Sequence, residues 1–137
     1  MHFAFTDEQK MIAETARDFF TENATSERTR AAMVADGIDR ALWAGFTREL
    51  GLGGVAIPEA DGGAGLGFVE FAILAEAAGA AVAALPMLGS LALSAQAIRA
   101  GGSAAQKAEW LPLLIAGETI AAFGESDDLV LSDGALS

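Results

Sequence analysis

From Ala77 to Ile98 the chain runs "AAGAAVAALPMLGSLALSAQAI" without one charged side chain. A stretch that long must be buried, either in a bilayer or in a protein core. Alanine and glycine add little insertion energy, Ser90, Ser94 and Gln96 oppose insertion, and no basic cluster fixes an orientation. Pro86 sits in its middle and cannot continue a helix. The expected outcome is therefore two buried helices split at Pro86, against the alternative of one membrane span. With 137 residues the chain suits one domain.

The flanking segments read as helices too. Thr6 with Gln9 forms a capping box, and Asp7 and Glu8 suit the positive end of the helix dipole. Met11, Ile12, Thr15, Ala16, Phe19 and Phe20 recur at helical spacing and predict one apolar face. A short helix over "SERTRAAMVADG" is closed by Gly37. Asp39 caps the next, where Leu42, Trp43, Phe46 and Leu50 share a face and Gly51 stands where a left-handed cap belongs. "FVEFAILAEAAG" is apolar nearly all round and reads as a central buried helix. The helix ending at Leu50 and the one starting near Phe68 are expected to stack side by side. Ser103 and Gln106 form a second capping box, for a helix that Pro112 should kink and Gly117 ends. After Gly117 the pattern becomes β-like, with Asp133-Gly134 as a hairpin turn. The expected fold is all-α, a helical bundle with a short β segment at its C-terminal end. Its parts are a helical domain over 1–117 and the beginning of a β domain over 118–137, so the chain reads as part of something longer.

Charge and composition narrow the function. The net charge of −11, with the few basic residues scattered, argues against nucleic acid as a partner. The sequence contains no cysteine and a single histidine, His2. No thiolate or imidazole metal cluster and no Ser-His-Asp or Cys-His nucleophile can be built from it. Glu125, Asp127 and Asp128 read as solvated acids, so no metal is expected. Lack of cysteine and of an N-terminal secretory pattern fits a cytoplasmic setting. Glu70 and Glu76 are the only charges in an apolar helix, and each should pair with an arginine or cap a loop. No residue is assigned as catalytic.

"GLGGVAIPEADGGAGLG", residues 51–67, formally contains a dinucleotide fingerprint at Gly51-x-Gly53-x-x-Ala56. The mechanism requires a strand before the turn and a helix after it. Here a helix precedes it and an extended run, Val55 to Pro58, follows. These glycines read as backbone turns between packed helices.

The ordered signals resemble the acyl-CoA dehydrogenase family. "FTDEQKMIAETARDFF" is similar to its opening helix. "LWAGFTRELGLGGVAIPEADGGAGLG" resembles its N-terminal signature at Trp43, Leu50-Gly51, Gly54, Pro58-Glu59 and Gly62-Gly63-x-Gly65. "LAEAAG" keeps Glu76 of a paired-acid helix, and "GGSAAQKAEWLPLLIAGE" is similar to the run that ends the family's helical domain. The resemblance implies a helical domain packed on a middle β domain and a C-terminal bundle, with FAD between the last two. It implies α,β-dehydrogenation of an acyl-CoA thioester by a glutamate base outside this sequence, with β-hydride transfer to the flavin. Electrons would then pass to an electron-transfer flavoprotein, and the enzyme would be a homo- or hetero-oligomer.

By that resemblance Phe123, Gly124 and Glu125 would contact the cofactor, and Leu88, Gly89, Leu91 and Ala92 would line the acyl pocket. Their small members leave depth for a long or bulky acyl group. The match departs at "AAFGESDDLVL", where Gly124 stands for the family's threonine and Ser126 for its proline, and a Gly-Ser-Asp is missing. Some members work as heteromers in which one subunit has lost part of its site. A non-catalytic helical partner subunit is therefore the alternative. The segment alone is not expected to hold flavin or turn over.

Overall fold

The structure, a computed structural model, describes residues 4–124 and the backbone of 131, 132, 135 and 136. Six α-helices lie among the described residues: α1 (Asp7–Asn23), α2 (Ser26–Val34), α3 (Arg40–Ala44), α4 (Phe68–Ala80), α5 (Gln96–Gly101) and α6 (Ala104–Ile115). Both capping boxes form. Thr6 Oγ1 accepts from Gln9 N at 3.1 Å and Gln9 Oε1 from Thr6 N at 3.0 Å. Ser103 and Gln106 repeat the pattern at 3.2 and 2.9 Å.

α1 packs chiefly along α4. Its buried side carries Ala16 and Phe20, flanked by Ile12 and Phe19. Met11 and Thr15, expected on this face, point outward. One neighbouring helix covers only a narrow stripe, and these two lie a residue's turn, about 100°, to its side.

α2 buries only Ala32. A forked ion pair ties it down: Arg28 Nε and Nη2 reach Asp39 Oδ2 and Oδ1, both at 2.7 Å. Thr29 Oγ1 donates to the Val82 carbonyl at 3.1 Å. Asp39 Oδ1 also accepts from Leu42 N at 2.9 Å, the expected cap of α3. The Arg28 guanidinium holds the Asp39 carboxyl below the usual carboxylate range, burial opposes this, and the Leu42 N–H adds to it. A depressed carboxylate stabilises the fold above its unfolded pKa of about 3.9. That contribution is lost as pH falls from there through the folded value. Arg28 is partly exposed, so solvent screens the pair. Arg28→Ala is expected to cost about 1.5 kcal/mol at neutral pH. Urea unfolding at pH 7 and pH 3 checks this: the gap between wild type and variant should shrink at the lower pH.

α3 continues directly as a wide π turn, Gly45–Glu49, in which Leu50 N donates to the Gly45 carbonyl at 3.0 Å. Leu42, Trp43 and Phe46 are buried as expected. Phe46 stacks on Phe20 at 5.9 Å and on Trp43 at 6.0 Å between ring centroids. These rings join Phe71, Leu74, Met87 and Leu91 in the main core. The expected side-by-side stacking with α4 is replaced by this shared core, since α1 occupies α4's flank.

The glycine loop is more compact than expected. The run Val55 to Pro58, expected to be extended, starts with a turn at Val55 and Ala56 and is flanked by two 3₁₀ turns, Leu52–Gly54 and Glu59–Asp61. The loop bonds to itself, with Ala64 N donating to Gly54 O at 2.9 Å and Leu66 N to Val55 O at 3.1 Å. Two glycines are needed for close approach. A Cβ on Gly53 would run into the Ile115 carbonyl, and one on Gly63 into that of Ile57.

α4 is half-buried, where full burial was expected. Phe71, Ile73, Leu74 and Ala78 face the core, whereas Phe68, Val69, Ala72 and Glu76 are exposed. The apolar run after it divides at 81–86 instead of at Pro86 alone. Its second part is π-helical over Met87–Ala95 before continuing as α5. Ser94 Oγ donates to the Gly89 carbonyl five residues back at 2.8 Å, a reach the wide turn provides. Among the described residues, no helix is long and apolar enough to cross a membrane.

α6 runs three residues past Pro112 as one helix. The helix continues through Pro112, and the acceptor that the proline leaves unused belongs to the exposed Ala108. Leu111 and Leu114 of α6 join Ile57 and Ala95 in a second core. At the far end Leu131 pairs antiparallel with Leu136, and Ser132 with Ala135. These four residues lie in the stretch 118–137 expected to begin a β domain. The expected turn residues Asp133 and Gly134 lie outside the described residues.

Candidate functional site

After α6 the chain crosses over the π segment Met87–Ala95. Ser90 is fully buried, and its Oγ accepts from Ala121 N at 3.3 Å. A Cβ built on Gly89 would lie 3.6 Å from the Ala121 carbonyl oxygen. Gly89 and Ser90 thus hold the backbone that leads, two residues on, to Phe123.

The four predicted pocket residues do not converge on one surface. Gly89 lies where an added Cβ would meet the crossing segment. Leu88 points outward at 69% exposure, Leu91 is buried in the main core, and Ala92 packs half-buried against that core. Of the predicted cofactor residues, Phe123 is 50% exposed and Gly124 is exposed. Glu125 lies outside the described residues, as do Asp127 and Asp128. Ser90 was missed by sequence reasoning. Its signal is a hydroxyl inside an apolar helix, which must find a partner when buried.

The two acids of α4 have separate surroundings. Glu70 Oε1 accepts from Gln9 Nε2 at 2.8 Å, so its partner is the α1 capping box and not an arginine. Glu76 is exposed, and it rims a cavity of about 260 Å³ between α1 and α4 opposite Arg17. Neither acid has an ion-pair partner among the described residues.

Phe123 and Gly124 form no cradle for a flavin. They offer an exposed ring and a stretch of backbone with no buried donor aimed at either. The orphaned buried polar atom among the described residues, Trp43 Nε1, lies against Gly117 instead. The described residues therefore do not fit an isoalloxazine by themselves, and no chemical step is assigned to them through it.

Residues 6–118 match the family described as "Acyl-CoA dehydrogenase, N-terminal domain", and the chain belongs to the acyl-CoA dehydrogenase family. It is 34% identical over 85 residues to "Acyl-CoA dehydrogenase IpdE2" of Mycobacterium tuberculosis, covering 61% of this chain and 27% of that one. It is 32% identical over 119 residues to "(2S)-methylsuccinyl-CoA dehydrogenase" of Cereibacter sphaeroides, covering 83% of this chain and 21% of the relative.

Two solved structures are similar. One is described as "Tcur3481-Tcur3483 steroid ACAD G363A variant", with TM-score 0.72 and 39% identity, over 81% of this chain and 30% of that chain. The other is the "ChsE4-ChsE5 complex from Mycobacterium tuberculosis", with TM-score 0.73 and 29% identity, over 86% of this chain and 30% of that chain. The chain spans about a fifth to a quarter of the length of the curated relatives it matches.

Proposed function

We propose that residues 1–117 are the N-terminal helical domain, and 118–137 the entry to the β domain, of an FAD-dependent acyl-CoA dehydrogenase that introduces an α,β double bond into an acyl-CoA thioester. Such a protein would pass its electrons to an electron-transfer flavoprotein. The observation that carries the reading is the hydrogen bond from Ala121 N to Ser90 Oγ, with Gly89 beside it. It sets the candidate acyl wall against the run that leads to Phe123, Gly124 and Glu125. When bound, the flavin would supply the hydride acceptor, and this chain's part would be to shape the cavity and exclude water. The similarity to a structure described as a "steroid ACAD" favours a bulky acyl group over a short one.

The protein in full length, together with any homologous subunit that co-purifies, should be yellow and should reduce an artificial electron acceptor with a bulky acyl-CoA. Gly89→Leu puts a bulky side chain beside the Ala121 carbonyl and, on this reading, would shorten the acyl cavity. It should cut kcat/KM for a bulky acyl-CoA by about tenfold or more and leave a short one nearly unchanged. Equal losses for both substrates would remove Gly89 from the pocket.

A second reading has its own support. Gly124 and Ser126 depart from the family motif, and both similar structures carry names that join two proteins. In this reading the chain is the non-catalytic helical partner of a heteromer. A colourless protein that gains flavin only in complex with a homologous subunit would select it.

A further inference from the structure

Past α6 the crossing run is fastened at its start, where Glu118 N and Thr119 N both donate to the Leu113 carbonyl, at 2.9 and 3.2 Å. From Ile120 to Gly124 one further hydrogen bond follows among the described residues, Ala121 N to Ser90 Oγ at 3.3 Å. Successive residues of the run enter different cores. Ile120 packs against the main core and Ala121 against the second.

Apolar contact alone sets this course poorly. The run reads "TIAAF" over residues 119–123. Side-chain volume marks the place of Ile120, but it does not distinguish Ala121 from Ala122, of which the first is half-buried and the second exposed. A directional bond to one backbone N–H does distinguish them. Ser90 supplies it from a position with no exposed surface, so the bond does not depend on what packs over the outside of the bundle.

We infer that Ser90 is a positioning residue: its hydroxyl selects the Ala121 N–H and so fixes the register in which the crossing run passes Gly89 and delivers Phe123 and Gly124. In that register the Ala121 carbonyl oxygen stands 3.6 Å from a Cβ placed on Gly89, so Ser90 also sets the clearance over the candidate acyl wall. The consequence for substrate rests on the dehydrogenase reading; the anchor itself does not.

Hydrogen exchange of this chain, followed residue by residue by NMR, tests the anchor. Ser90→Ala should speed exchange of the Ala121 amide about tenfold beyond any change at the Phe20 and Leu74 amides, which report the main core. Ser90→Cys nearly keeps the volume but is a weak acceptor and should do the same, which keeps the test valid if the alanine variant fails to fold. Ser94→Ala is the control. Ser94 Oγ donates to the Gly89 carbonyl within the same π segment at 2.8 Å, so its loss loosens that segment and leaves the Ala121 bond in place. An Ala121 amide unmoved by the Ser90 variants overturns the inference. So does an equal rise in Ser94→Ala, because the effect would then be a general loosening of the helix.

The clearance is read in the full-length protein, as the ratio of calorimetric Kd values for cholyl-CoA and butanoyl-CoA. Ser90→Ala should change that ratio about threefold. An unchanged ratio in a protein that binds both thioesters overturns the role in specificity. Wild type that binds neither removes the dehydrogenase reading, and the exchange result then decides the anchor by itself.

Discussion

Truncating Phe46 to alanine should lower the stability of this chain by about 4 kcal/mol, the upper part of the range for a fully buried aromatic. Phe46 has no exposed surface. It lies between Phe20 of α1 and Trp43 of α3, so its loss opens a cavity where two helices meet. Removing the ring also breaks two stacked pairs that contribute beyond their buried area. For a domain this size the effect corresponds to a fall in Tm of roughly 15 °C. Thermal unfolding followed by circular dichroism measures it. A fall of only a few degrees would mean that the α1–α3 junction collapses around the gap or is not the main core.

The second large effect is expected from a substitution that adds a single carbon. Gly53→Ala should cost about 3 kcal/mol, because the new Cβ collides with the Ile115 carbonyl and presses on Thr47 Cγ2. The obstacle is backbone and cannot rotate away. Either the 3₁₀ turn or the end of α6 must shift, and the two pack directly on each other. Gly79→Ala is the control. Gly79 lies in α4 with nothing within 4 Å of its Cβ position, and alanine there should stabilise the chain by about 0.5–1 kcal/mol. Opposite signs at the two glycines, measured by urea unfolding, would separate close packing from helix propensity. Equal small effects would show that the loop does not press on α6.

The readings that succeeded share one trait. Thr6 with Gln9, Ser103 with Gln106, and Asp39 with Leu42 are contacts between residues three apart. Their geometry is complete within one helical turn, so local sequence specifies it. Gly51 as a left-handed cap, with φ of +67°, belongs to the same class. The family resemblance was equally legible, because it rests on residue order along the chain and not on any fold detail.

The readings that failed needed a neighbour that sequence does not name. Met11 and Thr15 fit the apolar period of α1, but α4 covers only the stripe beside them. Phe68 and Val69 read as core, yet the described residues place no helix over that side of α4. Glu70 meets Gln9 across 61 positions of chain, and no pattern within α4 points there. The π character of Gly45–Glu49 and Met87–Ala95 is also hidden, since a wide turn and an α turn use the same apolar residues. For the candidate site, the sequence supplied Gly89 as a small residue in an apolar run. It could not indicate that Ser90 beside it would hold Ala121.

By itself, then, the sequence determined where the helices start, that they bury an apolar stretch around Pro86, and which family the chain resembles. These depend on hydrogen bonds and periodicity within a few residues. Tertiary structure alone decided which face of α4 is covered, which of Leu88, Gly89, Leu91 and Ala92 meets the crossing segment, and that the buried Ser90 hydroxyl holds Ala121. Each of those depends on how two helix surfaces far apart in the chain divide a limited volume, and side-chain packing sets that division only once the helices have met.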